Sequence, residues 1–517
     1  MTRFYLCIVQ IMLMLACCVM PVRADETDFD MAIVGGRVVD PASGLDAVRN
    51  IAVKGDRIVL VTKETITARK VINAEGRVVS PGFIDLHAHG QNILASRVQA
   101  LDGVTTALEL EVGVLPVGAF YDMVAREGRP INYGASVNWA AARMAVFMDV
   151  TPEADQRWAE ELFADRQWQD EIASPEQLED ISRIIQQGLN EGGIGVGFLS
   201  GYAPASGHKE YYAITKLAAD NNLPTFTHAR YLSMLEPESS FEGMAEIISA
   251  AAGTGAHTHI VHLNSISLRD IDIIGDMILG AQKQGLRVTT EAYPYGAGAT
   301  NIGAAMFRGE NWRERAGGLS AQNFDVNGKR LSEEELAHLQ KEQPGTATVI
   351  HFLEAGDPGD QAMLDKSVMF PGGVIASDGG GWLLNGKEVP QDTWPLPKTA
   401  WSHPRSAGTF SRFLRQYMRE KKAATLLEAI ERVSYGPARI LEDEVPQMKN
   451  KGRLQAGADA DIVIFDPATV TDNATFENPA RPSTGFDYVI VNGVVLVEKG
   501  VLDTSVLPGK PVCATCD

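Results

Sequence analysis

The chain predicts an α/β fold: a (β/α)8, TIM-like barrel with a small β-sandwich built from both chain ends. Three observations predict it. The middle of the chain alternates short apolar runs with helical stretches, the pattern of repeated βα units around a parallel sheet. Both ends are instead all-β, and neither is long enough to bury a core alone. The length of 517 residues, 45% hydrophobic and 22% charged, suits one large barrel and one smaller unit.

The strand-like runs of the middle are residues 83–86, 103–111, 133–138, 193–198, 225–228, 258–262, 287–291 and 374–378. At the front, 31–34, 37–40, 50–53 and 57–61 alternate with Gly and Asp turns, and 460–466 and 488–493 mirror them at the back. The expected organisation is a leader over 1–24, a composite sandwich from 25–80 and 440–500, a barrel over 81–439 and a tail over 501–517. Residues 309–371 are polar and irregular against the βα rhythm. They predict a lid inserted over the barrel mouth, with a helix over 332–343.

The leader has Arg3, an apolar run from Phe4 to Met20, and Val22-Arg23-Ala24 as a cleavage site. It reads as a secretory signal, too short and wrongly flanked to span a membrane, so an exported protein is expected, periplasmic or secreted. A lipoprotein reading at Cys17 lacks the small-residue pair it needs. Cys7, Cys17 and Cys18 lie in the leader, which leaves Cys513 and Cys516 in the tail, where a local disulfide or a frayed end is expected. A net charge of −20 argues against nucleic acid or an anionic membrane as partner and leaves a small molecule. Oligomeric state is not readable from these features.

The most informative stretch is Ser80-Pro81-Gly82-Phe83-Ile84-Asp85-Leu86-His87-Ala88-His89-Gly90. A Pro-Gly turn leads into a buried strand, and two histidines follow at its end. A spacing of two on a strand points both imidazoles to one face, which makes half of a divalent-metal site. This stretch resembles the first metal-binding strand of the amidohydrolase superfamily, whose members hydrolyse amides and cyclic amides on a (β/α)8 barrel. Later blocks resemble one branch, the N-acyl-D-amino-acid deacylases. They are Glu291-Ala292-Tyr293-Pro294-Tyr295-Gly296-Ala297-Gly298-Ala299-Thr300, His403-Pro404-Arg405-Ser406-Ala407-Gly408-Thr409-Phe410, and Gly457-Ala458-Asp459-Ala460-Asp461. The likeness runs over about 29–500.

That resemblance implies further ligands and roles, and the chain departs from it at two points. His228 in Thr227-His228-Ala229-Arg230 and His262 in Val261-His262-Leu263-Asn264 match the histidines of the fifth and sixth strands. His257 and His259 are competitors, expected on the other strand face from His262. The branch uses a cysteine after its second strand, where Val112 stands here, and other amidohydrolases use a carbamylated lysine. There is no Lys between Lys70 and Lys209 and no Cys between Cys18 and Cys513. A carboxylate can hold the same ions; Glu111, nearer the strand end, is the expected ligand, with Glu109 behind it. Asp378, ending the last strand, is expected both to bind metal and to take the proton of the attacking water and return it to the leaving amine.

The second departure is Asn264, which replaces a lysine that helps hold the substrate carboxylate. Arg230, Tyr293 and Arg308 are the expected replacements. The reading is metal-dependent hydrolysis of N-acyl amino acids, of D configuration, with N-acyl-D-glutamate among the expected substrates and one or two Zn2+ ions as cofactor. The alternatives are a cyclic-amide hydrolase of the dihydroorotase or hydantoinase kind and a non-catalytic binding protein on the same fold.

Overall fold

A computed structural model describes residues 29–516, so the leader lies outside the described residues. Eight parallel strands form the barrel in sheet order: Phe83–Asp85, Val104–Val114, Asn132–Asn138, Val196–Leu199, Thr225–His228, Thr258–Ile260, Val288–Ala292 and Val374–Ile375. The ring closes just past its first and last strands. The His87 carbonyl accepts the Asp378 N–H at 2.8 Å, and the His89 N–H donates to the Gly379 carbonyl at 2.8 Å. The Asp85 carboxylate spans the same seam, accepting the Ser377 N–H at 2.9 Å and the Ser377 hydroxyl. The backbone that closes the barrel is therefore the backbone that carries the candidate site.

The small unit is one nine-stranded sheet drawn from both chain ends. Its two halves meet where Ile462–Phe465 runs antiparallel to Val78–Pro81, with Ile462 opposite Pro81 and Phe465 opposite Val78. Alternation divides that strand between two cores: Ile462 and Ile464 join Ile33, Ile51 and Val79 on one face, while Val463 and Phe465 join Phe83, Phe410 and Phe486 on the face against the barrel. Gly82 then turns the chain from this sheet into the barrel. A Cβ there would sit 2.1 Å from the Thr105 hydroxyl, so only glycine lets the two strands approach.

A hydrocarbon cluster fills much of the lower end of the barrel. Ile84, Leu108, Ile194, Phe226, Val261 and Val374 pack with Leu441, Val445, Met448 and Val512. Val512 belongs to the tail, which is ordered here and pairs Pro511 with Tyr133. Cys513 and Cys516 are joined as a disulfide beyond it. Below the barrel the Asp461 carboxylate takes hydrogen bonds from Asn132 at 2.9 Å, Lys451 at 2.8 Å and the Asn492 N–H at 2.8 Å, tying barrel, floor and sheet together.

The lid has other bounds than the polarity of 309–371 suggests. The chain leaves the barrel earlier, forming a four-stranded antiparallel sheet from Ala297–Asn301, Ala347–His351, Phe324–Val326 and Lys329–Arg330. The lid helix, Glu333–Glu342, starts from a capping box on Ser332. Its own core is Ile302, Phe307, Trp312, Phe324, Leu336 and Ile350. Helix Pro358–Val368 precedes the last barrel strand and belongs to the barrel. The run Ala297-Gly298-Ala299-Thr300 has no bulky alternation, which is why its strand is hidden in the sequence. Among the described residues no helix is long and apolar enough to cross a membrane.

Val512 is fully enclosed, so Val512→Ala should destabilise the protein by about 2 kcal/mol through lost burial and a residual cavity. Thermal melts of the variant would show it; a Tm equal to the parent's would mean that the tail does not seal the floor.

Candidate metal centre

Six side chains converge at the upper end of the barrel. His87 and His89 follow the first strand, Glu111 lies near the end of the second, His228 ends the fifth, His262 follows the sixth and Asp378 follows the eighth. The second strand slips register between Glu109 and Val114. Gly113 there has φ 73°, and a Cβ on it would meet Ser136 at 2.6 Å, so glycine permits the bulge that follows the two glutamates. His262 and Asp378 themselves have φ 34° and 52°. Two non-glycine residues in the left-handed region store backbone strain at the site itself.

The geometry centres on Glu111. Its Oε1 lies 2.8 Å from His262 Nε2 and 3.0 Å from His228 Nδ1. Its Oε2 lies 3.1 Å from His87 Nε2 and 3.4 Å from His89 Nε2. Each carboxylate oxygen thus faces its own pair of imidazoles. In each of these two groups all ligand atoms lie within 4.8 Å of one another. Asp378 Oδ1 stands 3.1 Å from His89 Nε2, beside the first group.

The far sides of the rings say which nitrogens are free. His87 Nδ1 donates to Glu291 Oε1 at 2.6 Å, and His89 Nδ1 donates to Glu109 Oε2 at 2.9 Å. Those bonds leave the Nε2 lone pairs turned inward, at a carboxylate and at one another (His87 and His89 Nε2 are 3.1 Å apart). Lone pairs so gathered fit a divalent cation between them, the arrangement of carboxylate-supported metal histidines. The chain therefore builds a divalent-metal-binding site of two His/Glu clusters sharing one glutamate.

The electrostatics agree. Burial alone would push the Glu111 carboxyl up, but His87, His228 and His262 outweigh it and hold the group well below the usual carboxylate range. Asp378 is likewise held down against burial, by Arg405 first and then by His87, His89 and His262. Glu291, despite full burial, is held to about 2 by His87 and His259. In the absence of a cation burial opposes charge on His87, but Glu111, Asp378 and Glu291 prevail and raise it well above the ordinary imidazole value. A bound cation would take the place of such protons.

The expected anion-holding residues divide. Tyr293 lines the cavity above the ligands. Arg230 does not: its guanidinium is buried in a bidentate pair with Glu246, both bonds 2.8 Å, and donates to the Ser206 carbonyl at 2.6 Å. Arg308 also lies outside the cavity, 3.5 Å from Asp170, although Met306 and Phe307 before it form part of the wall. The residue that sequence reasoning missed is Arg405. It is buried, donates from Nη2 to Asp378 Oδ1 at 2.7 Å and lies over the Tyr293 ring at 4.7 Å. Its Nε and Nη1 have no hydrogen-bond partner. The signal was present in the His403-Pro404-Arg405 block.

His257 and His259 are outside both ligand groups, but not because they face away. They point along the barrel interior, where His259 Nε2 meets Glu291 Oε2 at 3.2 Å. The alternation expected for His262 fails because the strand stops at Ile260 and the chain turns left-handed at His262. A cavity lies over the site. His89, Glu111, His228, His262 and Asp378 form its base, and Leu232, Leu268, Met306, Phe307, Leu319, Ile350 and Phe352 its walls. Among the described residues no lysine or arginine lines it directly, and Arg405 stands immediately behind Tyr293, Gly298 and Asp378 of its wall.

Comparison with known proteins agrees with the geometry. The chain matches the amidohydrolase family over residues 70–327 and 264–497, and it belongs to that family. It is 24% identical to a D-aminoacylase of Alcaligenes xylosoxydans xylosoxydans, over 91% of this chain and 95% of that one. An N-acyl-D-glutamate deacylase of the same organism is also 24% identical, over 90% and 93%. A crystal structure of D-aminoacylase superposes with a TM-score of 0.73 at 22% identity, covering 94% of this chain and 99% of its own.

Glu111→Ala should remove both ions, because each cluster loses its only carboxylate. Glu109→Ala should leave both bound at saturating metal, with affinity about 10-fold weaker, the lower end for losing an outer hydrogen bond to a ligand. Metal content of the two purified variants decides between them; full loading in Glu111→Ala would place the shared ligand elsewhere.

Proposed function

We propose that this amidohydrolase removes the acyl group from N-acyl-D-amino acids with uncharged, apolar side chains, with Zn2+ in both halves of its site. The observation that carries the reading is Arg405: a buried guanidinium beside Asp378 with two N–H-bearing nitrogens unspent. A buried donor without a partner is costly, and a substrate anion is the group that would satisfy it. Gly298, which lines the cavity, brings this guanidinium within reach, since a Cβ there would lie 4.0 Å from Arg405 Nη1.

The position of that cation orients the substrate. Divalent ions bound here polarise the scissile carbonyl and acidify the attacking water. Asp378 Oδ1, beside His89, accepts the proton of that water and hands it to the leaving nitrogen. A carboxylate held by Arg405, which adjoins Asp378, would lie close to that nitrogen, as the α-carboxylate of an amino-acid leaving group does. Arg405 also keeps Asp378 ionised until the proton arrives. Tyr293 fixes the guanidinium plane from below, a stacking that lysine could not use.

The amino-acid side chain then enters the apolar part of the cavity. Burying a second carboxylate against Leu268, Ile350 and Phe352 with no cation opposite would cost several kcal/mol. That speaks for leucine-, methionine- or phenylalanine-like substrates over glutamate. Zn2+ suits ligands that are imidazole and carboxylate.

A panel of N-acetyl-D-leucine, N-acetyl-D-methionine, N-acetyl-D-glutamate, the L enantiomers and a hydantoin tests this. The apolar D substrates should exceed N-acetyl-D-glutamate by at least about 10-fold in kcat/KM, a small share of the cost of burying an unpaired charge. A preference for the hydantoin would overturn the reading. Arg405→Met should raise KM for N-acetyl-D-leucine about 10- to 100-fold, the worth of a charge-assisted bond, and leave KM for an N-acyl amine without a carboxylate nearly unchanged, while kcat falls for both through the lost bond to Asp378. Asp378→Asn should retain its metal and lose about 10²- to 10⁴-fold in kcat; near-normal turnover in the loaded variant would remove Asp378 from the proton path.

A further inference from the structure

A row of polar side chains runs down the barrel interior from the metal centre to its opposite face, and the proposed reaction uses none of it beyond Glu291. From the top, His87 Nδ1 is 2.6 Å from Glu291 Oε1, and Glu291 Oε2 is 3.2 Å from His259 Nε2. His259 Nδ1 is 2.9 Å from Thr289 Oγ1, which is 3.0 Å from His257 Nε2. His257 Nδ1 lies 3.4 Å from Arg287 Nη2 and 3.2 Å from Glu444 Oε1. Arg287 and Glu444, themselves 2.6 Å apart, border an open pocket at the lower rim. Glu291, His259 and His257 are buried, in a barrel whose lower interior also holds the hydrocarbon cluster of Ile84, Leu108, Phe226 and Val261.

The donors in this row can be assigned from elementary valence. A carboxylate only accepts, so His87 and His259 both donate to Glu291. A neutral His259 that donates from Nε2 must accept at Nδ1, so the Thr289 hydroxyl spends its one hydrogen there. Its oxygen then accepts from His257 Nε2, and His257 Nδ1 ends the row between Glu444 Oε1 at 3.2 Å and Arg287 Nη2 at 3.4 Å. The donors of Thr289 and His259 point up toward Glu291, and the His87 donor points down to meet them there. Without His259, Glu291 would hold one oxygen on His87 and leave the other bare, free to swing about its own torsions in a dry interior.

We infer that His259 is a positioning residue for the His87 half of the metal site, acting through Glu291, and that Thr289 and His257 extend this support to the lower face of the barrel. The consequence is asymmetric. The His87, His89 and Glu111 group depends on the row. The His228, His262 and Glu111 group does not, since His262 Nδ1 is held by the Ser265 hydroxyl at 2.9 Å on its own turn. Support of this kind sets the ring plane and basicity of a ligand histidine, so its loss should weaken one ion and spare the other. The inference rests on the two-cluster site alone and not on the substrate proposed for it.

The test is competitive Zn2+ titration of the metal-free protein against a chelator, for His259→Phe, Thr289→Val and Thr289→Ser. His259→Phe and Thr289→Val should each lower affinity at one of the two sites by about 10-fold and leave the other at the parent value. Thr289→Ser keeps the hydroxyl and should bind as the parent does. Should His259→Phe fail to fold, Thr289→Val, which changes only the hydroxyl, carries the test. Parent affinity at both sites in Thr289→Val, or an equal loss at both, would overturn the assignment and return the row to a satisfied but passive polar core.

Discussion

One carboxylate holds the centre of this protein together. Glu111 offers one oxygen to His87 and His89 and the other to His228 and His262. Four imidazoles from three places in the chain can gather so closely only around a negative group, and a divalent ion in each half would complete the charge balance. A neutral side chain at this position would leave inward-facing lone pairs opposed across a buried space. The remaining architecture can be read as the means of placing that carboxylate.

The barrel places it by closing through the site. Backbone bonds between His87–His89 and Asp378–Gly379 complete the ring, so the first and last ligand-bearing segments cannot separate without opening the sheet. The left-handed backbone at Asp378 is sustained by the same closure. Beneath the ligands one polar row, Glu291, His259, Thr289 and His257, runs to the lower rim beside a hydrocarbon cluster that Val512 helps to seal. Above them, the lid's own apolar core supplies Phe307 and Ile350 to the cavity wall, so the lid shapes the substrate space as well as covering it.

Much of this was legible in the residues. The Pro-Gly turn before His87 and His89, the strand rhythm and the glutamate pair each express local geometry, and local geometry is what sequence spacing encodes. Glu111 could be preferred to Glu109 because distance along a strand measures depth in a barrel. What could not be read depends on partners distant in sequence. Arg230 looked available because nothing nearby shows Glu246, one helix later, closing on it. Arg405 was given no role of its own because nothing in its block shows that the guanidinium reaches Asp378, 27 residues earlier. His259 was placed on the wrong face because the turn at His262 breaks the period of two. The early start of the lid was hidden by Gly and Ala residues that pair as a strand without bulky side chains.

The claim on which the rest stands is that Glu111 bridges two ions. Crystals of the zinc-loaded protein, with data at the zinc absorption edge, measure it directly. The account predicts two anomalous peaks, one between Glu111 Oε2 and the His87/His89 pair and one between Glu111 Oε1 and the His228/His262 pair. A single peak, or two peaks with Glu111 bound to neither or to only one, would contradict it.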